Sequence, residues 1–557
     1  MNLAIATGTA LESKPRPLTA LFDATVLAHP DWPAIDFMGR VIRYADLAES
    51  VRRAAAGLQA LGVRSGTRVA LCMPNMPHYP ILFLATLRLG GVVVNVNPLY
   101  VERELHHLLG DSGAEIVATC DLTDVHARIS SVAADLGVRH VITCPIAEEL
   151  PALKRIAYRL FKRRDIAPRP SDARHLTFHE LLAAGGDEFT PPTVTPDAVA
   201  VLQYTGGTTG LPKAAMLTHA NLVANADAMV SYVGGESLSQ DRVIGALPLF
   251  HVFALTTVLS FSIRVGAQMI LLPRFQLEGM LKTIARTRPT FLPAVPTIFG
   301  AVANVAEKRT VDLSGVRACI SGGAPLPAEI REAFTRYTGA RLVEGYGLSE
   351  ASPIITCNPI DGVDKPGSAG LPFPGTTIEI HDLTDPGKIV PEGERGEICA
   401  RGPQVMAGYW QRDDETREVF VDGALRTGDV GYLDNDGYLF IVDRIKDVII
   451  SGGYNVYPRV IEDALYEHPA VAEAVVIGVD DPYRGQAAKA FVTLKPGTTP
   501  TPAELRAFLS DKVSKIELPR EIEIRDTLPK TLIGKLSKKE LVAESKLQPV
   551  TKIDGAA

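Results

Sequence analysis

Residues 204–213, YTGGTTGLPK, combine the side chains that anion chemistry needs. Gly206, Gly207 and Gly210 let a main chain approach an anion closely and take conformations closed to other residues. Thr205, Thr208 and Thr209 add hydroxyl donors, and Lys213 adds positive charge. The run before them, AVAVLQY at 198–204, reads as a buried strand, so the loop leaves a strand end as a phosphate cradle does. It lacks the G-K-[ST] ending of a Walker A loop. A flexible surface turn would explain the glycines, but not three threonines and a lysine grouped around them. Phosphate binding is therefore the expected role.

Further motifs follow along the chain: LPLFHVFAL at 247–255, SGGAPLP at 321–327, EGYGLSE at 344–350, RTGDVGYLD at 426–434, DRIKDVIISGGYNVYP at 443–458 and LPKTLIGK at 528–535. Together with the loop, these resemble the signature motifs of the adenylate-forming superfamily of acyl-CoA synthetases, luciferases and peptide-synthetase adenylation domains. The resemblance covers nearly the whole chain, and the wording is nearest to bacterial fatty acyl-CoA synthetases. It implies an acid–CoA ligase: ATP and a carboxylate give acyl-AMP and pyrophosphate, then acyl-AMP and coenzyme A give acyl-CoA and AMP. Medium- to long-chain fatty acids are the expected substrates, with dicarboxylic, alicyclic and aromatic acids left open.

The resemblance also assigns residues. Tyr346 offers a flat face to adenine, and Glu350 is a hard oxygen ligand suited to Mg²⁺ beside substrate phosphates, with Thr205 helping to place the ion. Asp429 accepts from the ribose hydroxyls and Arg444 reaches the same sugar; read alone, Asp429 would be a turn-capping residue. Ala324, Glu344, Gly345, Gly347 and Ser349 line adenine and phosphate. His251, which read alone is a satisfied core histidine, orients the intermediate on the path to the acyl pocket. Lys535 becomes the mobile catalytic lysine, sharing with Lys213 and the metal the neutralisation of charge at the α-phosphate; read alone, it is one of several solvated lysines with Lys530, Lys538 and Lys539. Lys446 takes the hinge position, Gly452 and Gly453 border the pantetheine tunnel, and Asn455 approaches the nucleotide. Some aryl-CoA ligases carry lysines where Ile450 and Gly452 stand here, so contacts of those lysines do not carry over.

The elements that must hold these residues read as α/β. Strands are expected at 69–73, 91–96 and 116–119 among amphipathic helices. A helix is expected over 219–233, with Leu222, Ala226, Met229 and Val233 on one stripe. Near 443–447 the style changes to a compact α+β pattern: a helix over 459–467 opened by Pro458, strands at 474–479 and 490–494, a helix begun by Thr501 and Pro502, and a strand over 521–526. The expected architecture is a large multi-subdomain α/β domain over 1–442, a hinge at 443–447, and a small mobile α+β domain over 448–557, frayed after about Glu544.

With 557 residues, 46% hydrophobic and 22% charged, the chain can bury large cores. A net charge of −7 gives no global reason to expect nucleic acid. Cys72, Cys120, Cys144, Cys319, Cys357 and Cys399 form no C-x-x-C pair, so a zinc or redox site is not expected and a reducing cytoplasm is. The first residues make a poor signal peptide. The apolar window 247–263 reads as core rather than a membrane span. Residues 152–164, ALKRIAYRLFKRR, place Leu153, Ile156, Ala157, Leu160 and Phe161 at helical spacing, with Lys154, Arg155, Arg159, Lys162, Arg163 and Arg164 on the remaining face. A helix packed on the core with a solvated basic face is expected; a peripheral helix on the inner face of an anionic membrane is the alternative. Expected partners are ATP, the acid and coenzyme A, with a lysine acetyltransferase at Lys535 and a homodimer left open. A non-catalytic lipid carrier is the alternative of another class, opposed by the joint presence of Lys213, Glu350, Asp429, Arg444 and Lys535.

Overall fold

The computed structural model describes residues 14–547 apart from 169, 171, 187–188, 206–211, 236–239, 452–453 and 531–535. Four sheets are present among the described residues. The first, seven-stranded, runs in the order His175–Thr177, His140–Cys144, Ile116–Cys120, Arg68–Cys72, Val92–Asn95, Val199–Thr205 and Lys213–Thr218. Its pairs are parallel except the last. Continuous β-branched runs such as VVVN, buried along their whole length, suit strands covered on both faces by helices. The strands expected at 69–73, 91–96 and 116–119 are present within a residue or two.

The second sheet has nine strands. Its parallel centre includes Phe291–Ala294, Ala318–Ser321 and Leu342–Gly347, and the antiparallel strand Ile354–Cys357 follows them toward the edge. A third sheet is antiparallel and carries Ala424–Leu433 against Leu439–Arg444. The apolar window 247–263 is core, as expected: Val252 to Ile263 is buried and helical, including a π-helical stretch at Leu255–Ser260.

Buried apolar side chains form one network from Leu18 to Leu439 and another from Ile449 to Ile522. The second surrounds a five-stranded sheet led by Val471–Asp481 and Gly485–Leu494, with the helices Pro458–Tyr466 and Pro502–Ser510. Thr501 caps the latter helix by accepting from the Glu504 amide at 3.2 Å, while the Glu504 carboxylate accepts from the Thr501 amide at 2.7 Å. Between the two cores the chain makes one turn of 3-10 helix at Ile445–Asp447. The α/β class with a small C-terminal domain is as expected.

A strand Lys213–Thr218, not expected from sequence, precedes the helix His219–Tyr232 and pairs antiparallel with Val199–Thr205. Two readings differ. Helix Lys538–Leu547 runs past Glu544, where fraying was expected, because Leu541 is fully buried on its inner side. The helix Ala152–Phe161 has no buried residue and turns its apolar stripe outward, so it is not packed on the core as expected. It is held by polar bonds instead: Lys154 Nζ donates to the Met38 carbonyl at 2.7 Å and Arg155 to the Glu148 carbonyl at 3.2 Å.

Candidate active site

Parallel strands end on a shared side of a sheet, and α/β proteins place their ligand crevices there. Here the ends of Val199–Thr205, Ala318–Ser321 and Leu342–Gly347 open onto one cleft of about 2550 Å³ between the two cores. Of the site residues expected from sequence, Thr205, Lys213, His251, Ala324, Glu344, Gly345, Tyr346, Gly347, Ser349, Glu350, Asp429, Arg444 and Lys446 line it. Gly206, Gly207, Thr208, Thr209, Gly210, Gly452, Gly453 and Lys535 lie outside the described residues. Thr205 and Lys213, which flank residues 206–211, are cross-strand partners, and both line the cleft. Asn455 does not line the cleft; it sits exposed in the strand Tyr454–Val456, paired with Ile450.

The strand Leu342–Gly347 brings several of these groups in at once. A Cβ at Gly347 would lie 2.0 Å from the Pro353 carbonyl oxygen, so only glycine lets the next segment cross so closely. The Tyr346 hydroxyl donates to Asp429 Oδ2 at 2.5 Å, and Arg444 Nε lies 3.3 Å from Asp429 Oδ1. Asp429 and Arg444 are cross-strand neighbours. Asp429 is therefore a strand residue holding an aromatic ring and a guanidinium in one cluster, not a turn cap. Burial pushes the Glu344 carboxyl up to about 7, with the Arg459 charge opposing.

Glu350 sits in the 3-10 turn Ser349–Ala351. Burial raises its carboxyl above the usual range, against a hydrogen bond from the Tyr409 hydroxyl to Oε1 at 2.8 Å. The Tyr409 ring also lies under Lys213, with Nζ 5.4 Å from the ring centre. Tyr409 thus ties Lys213 to the half-buried carboxylate. Sequence reasoning missed it, because tyrosine in AGYW carries no charge or spacing that marks a site. Among the described residues, no three His, Cys, Asp or Glu side chains converge as an all-protein metal cage would require.

His251 precedes the helix Val252–Ala254, and its Nδ1 accepts from the Phe253 amide at 3.3 Å. The residue lines the cleft. From Phe250 to Ile330 the described lining is mostly apolar, with His251, Thr297 and Asn304 as its polar side chains, and carries no lysine or arginine.

At the junction of the cores, Asp443 Oδ2 accepts from the Arg459 amide at 2.7 Å. Lys538 Nζ lies 3.2 Å from Glu462 Oε1 and 4.0 Å from Asp447 Oδ2. Lys538 was expected to be solvated; instead the acids around it hold its ammonium above its ordinary range, although burial opposes this. Lys530 is exposed, as expected, and pairs with Glu473. Burial lowers the Lys446 ammonium, helped by Arg444.

A tyrosine–aspartate–arginine cluster, a lysine and a half-buried carboxylate in one cleft fit a nucleotide. The model of the AMP-binding enzyme family matches residues 22–410, and that of the AMP-binding enzyme C-terminal domain matches 460–535. The chain belongs to the AMP-binding enzyme family. It is 40% identical over 533 residues to a long-chain-fatty-acid–CoA ligase of Bacillus subtilis, covering 95% of this chain and 94% of that protein. It is 37% identical to a feruloyl-CoA synthase of an Amycolatopsis species, covering 92% and 96%. Among solved structures, ATP-bound MatB from Rhodopseudomonas palustris superposes with a TM-score of 0.84 at 31% identity, covering 96% of this chain and 99% of that one.

Proposed function

We propose that this protein is an AMP-forming fatty acid–CoA ligase acting on medium- to long-chain monocarboxylic acids. The observation that carries the reading is the convergence of Thr205, Lys213, Glu350, Asp429 and Arg444 on one cleft whose lining also includes the apolar Phe250, Phe253, Val295 and Ile330. The relatives named above, which include ligases of long-chain fatty and feruloyl acids, support the reaction class. A second carboxylate at the far end of the acid would need a cation, and the described lining from Phe250 to Ile330 carries no lysine or arginine. This favours monocarboxylic substrates.

In the first step a carboxylate oxygen attacks the α-phosphorus and pyrophosphate leaves. Positioning and electrostatics account for this step more than covalent work by the protein does. Asp429 and Arg444 hold the ribose, Tyr346 faces adenine, and Lys213 with the loop 205–210 holds the phosphates. The residues present fit Mg²⁺ bound mainly by substrate phosphates: Glu350 is one half-buried carboxylate oriented by Tyr409, and Thr205 lines the same cleft, its hydroxyl donating to the Lys213 carbonyl at 3.4 Å. Such an ion would neutralise phosphate charge. Lys535 supplies a further positive charge in this step.

In the second step the coenzyme A thiolate attacks the acyl carbon and AMP leaves. That attack needs the space Lys535 occupies in the first. The separate cores on either side of residues 443–447 support a division there, with Lys446 as hinge and Gly452, Gly453 and Asn455 brought to the nucleotide and pantetheine by rotation. The test is coenzyme A-dependent AMP formation with short- to long-chain mono- and dicarboxylic acids and ferulate. Highest kcat/KM on a C8–C18 monocarboxylate is expected; preference for a dicarboxylate or for ferulate would overturn the substrate assignment while leaving the reaction class standing.

A further inference from the structure

We propose that the helix Ala152–Phe161 docks this protein on an anionic lipid surface, its apolar stripe entering the acyl boundary and its basic flank resting among the headgroups. An amphipathic helix in a globular protein ordinarily turns its apolar face to the core. This one does the reverse. Leu153, Ile156, Leu160 and Phe161 are 84%, 58%, 70% and 85% exposed. With Ala157 they recur at the spacing of one helical face. Only Tyr158 packs partly against the main core.

The polar bonds of Lys154 and Arg155 to Met38, Glu148 and Leu150 fix the helix to the body from its other side. Arg40 holds the same segment, donating to the Glu148 carbonyl at 2.9 Å and to Glu149 Oε2 at 2.6 Å. The outward stripe is therefore built in by specific contacts beneath it. A contiguous outward apolar face of this kind marks an interaction surface.

The charges choose the partner. Arg159, Lys162, Arg163 and Arg164 are exposed along the flank and at its end. Glu148 lies 3.9 Å from Arg159, and Asp165 lies 2.8 Å from Lys162, so the acids here offset part of this charge. The segment stays positive on a chain whose net charge is −7. An anionic surface would attract this patch and repel the rest of the molecule, which sets one orientation. A second copy docking through the same face would bring like charges together, which disfavours self-association. Ten residues span roughly 15 Å of helix, too short to cross a bilayer and suited to lying in its interface. Among the described residues no helix is long and apolar enough to cross a membrane.

Flotation of the full chain tests the proposal. The probes are vesicles of mixed phosphatidylglycerol and phosphatidylcholine, and of phosphatidylcholine alone, at about 0.1 M salt, where surface charge still acts over a Debye length. One variant combines Leu153→Ser, Ile156→Ser, Leu160→Ser and Phe161→Ser, which removes the exposed stripe while keeping the bonds beneath it. A second combines Arg163→Gln and Arg164→Gln. Wild type should float with the anionic vesicles, the stripe variant should partition at least about ten-fold less, and the arginine variant should lose binding chiefly on anionic vesicles. Unchanged melting of both variants by circular dichroism establishes that they fold. Equal recovery of wild type and the stripe variant would overturn the proposal, as would wild type failing to float. Sedimentation velocity covers the remaining occupant: a stripe-dependent dimer that does not bind vesicles would make this face a self-interface and overturn lipid docking.

Discussion

Replacing Tyr409 with Phe removes one hydroxyl and leaves the rest of the cleft in place. The ring stays beneath Lys213, whose Nζ is 5.4 Å from its centre, so the loop lysine keeps its rest. What is lost is the 2.8 Å hydrogen bond to Glu350 Oε1. A hydrogen bond to a charged group contributes roughly 1.5–3 kcal/mol, and more of that is felt where burial has removed competing water. Glu350 is such a group: burial already disfavours its charged form, and the Tyr409 bond opposes this. If Glu350 holds the cation only as an oriented carboxylate, the Mg²⁺ needed for half-maximal pyrophosphate release should rise about 10- to 100-fold, at 1.4 kcal/mol per decade. The maximal rate at saturating Mg²⁺ should fall much less. Binding of Mn²⁺ in the presence of a non-hydrolysable ATP analogue, followed by electron paramagnetic resonance, should weaken by a similar factor. An unchanged Mg²⁺ requirement together with a large loss of maximal rate would refute the link between Tyr409, Glu350 and the metal.

Lys535→Ala should lose ATP-driven adenylation by roughly 10²-fold or more while a preformed acyl-adenylate still reacts with coenzyme A; Lys446→Pro, which fixes a backbone dihedral at the hinge, should do the reverse. Equal loss of both half-reactions in a folded Lys535→Ala variant would contradict the division of labour. The Glu344 carboxyl is raised from 4.5 to about 7, so its neutral form is favoured in the folded state. The stability it contributes is complete below 4.5 and is lost as pH rises through 7, by an amount on the order of 1–3 kcal/mol. Glu344→Gln should therefore gain stability relative to wild type at pH 8 over pH 4.5 in urea denaturation, and an equal difference at both values would contradict the assignment. Lys538→Met leaves Glu462 and Asp447 without their cation and should destabilise the C-terminal core by about 1–3 kcal/mol, read as faster limited proteolysis within residues 448–547.

What the sequence disclosed and what it hid divide along a physical line. Local pattern is written in the order of residues: the buried strand before 205, the stripe of helix His219–Tyr232 and the helix begun by Thr501 and Pro502 all follow from short-range periodicity and helix-start signals. Motif residues such as Glu350 and Asp429 could be placed in one site because their residue types and order resemble a family. Partners far apart in the chain were not legible. Tyr409 reaches Glu350 across 59 positions, and Tyr346 reaches Asp429 across 83. Nothing local to AGYW or TGD announces either contact.

The helix Ala152–Phe161 and Lys538 were misread for one reason, which is that amphipathic pattern and charge specify a kind of surface but not which side is covered. A basic amphipathic stretch normally buries its stripe, and a lysine in a run such as KLSKKE normally points to water. In both cases what decides is the supply of partners nearby. Around Lys538, Glu462 and Asp447 come from the helix and the 3-10 turn that join the two cores, so the ammonium is drawn inward. Beneath the helix, the carbonyls of Met38, Glu148 and Leu150 engage the basic side, and the stripe is left outward. The same rule, that a buried charge needs a partner and an apolar face needs a cover, sends one cation in and one apolar face out. It follows that supplying an apolar cover should matter more to the helix than altering its charges, so the stripe variant should lose more vesicle binding than the arginine variant.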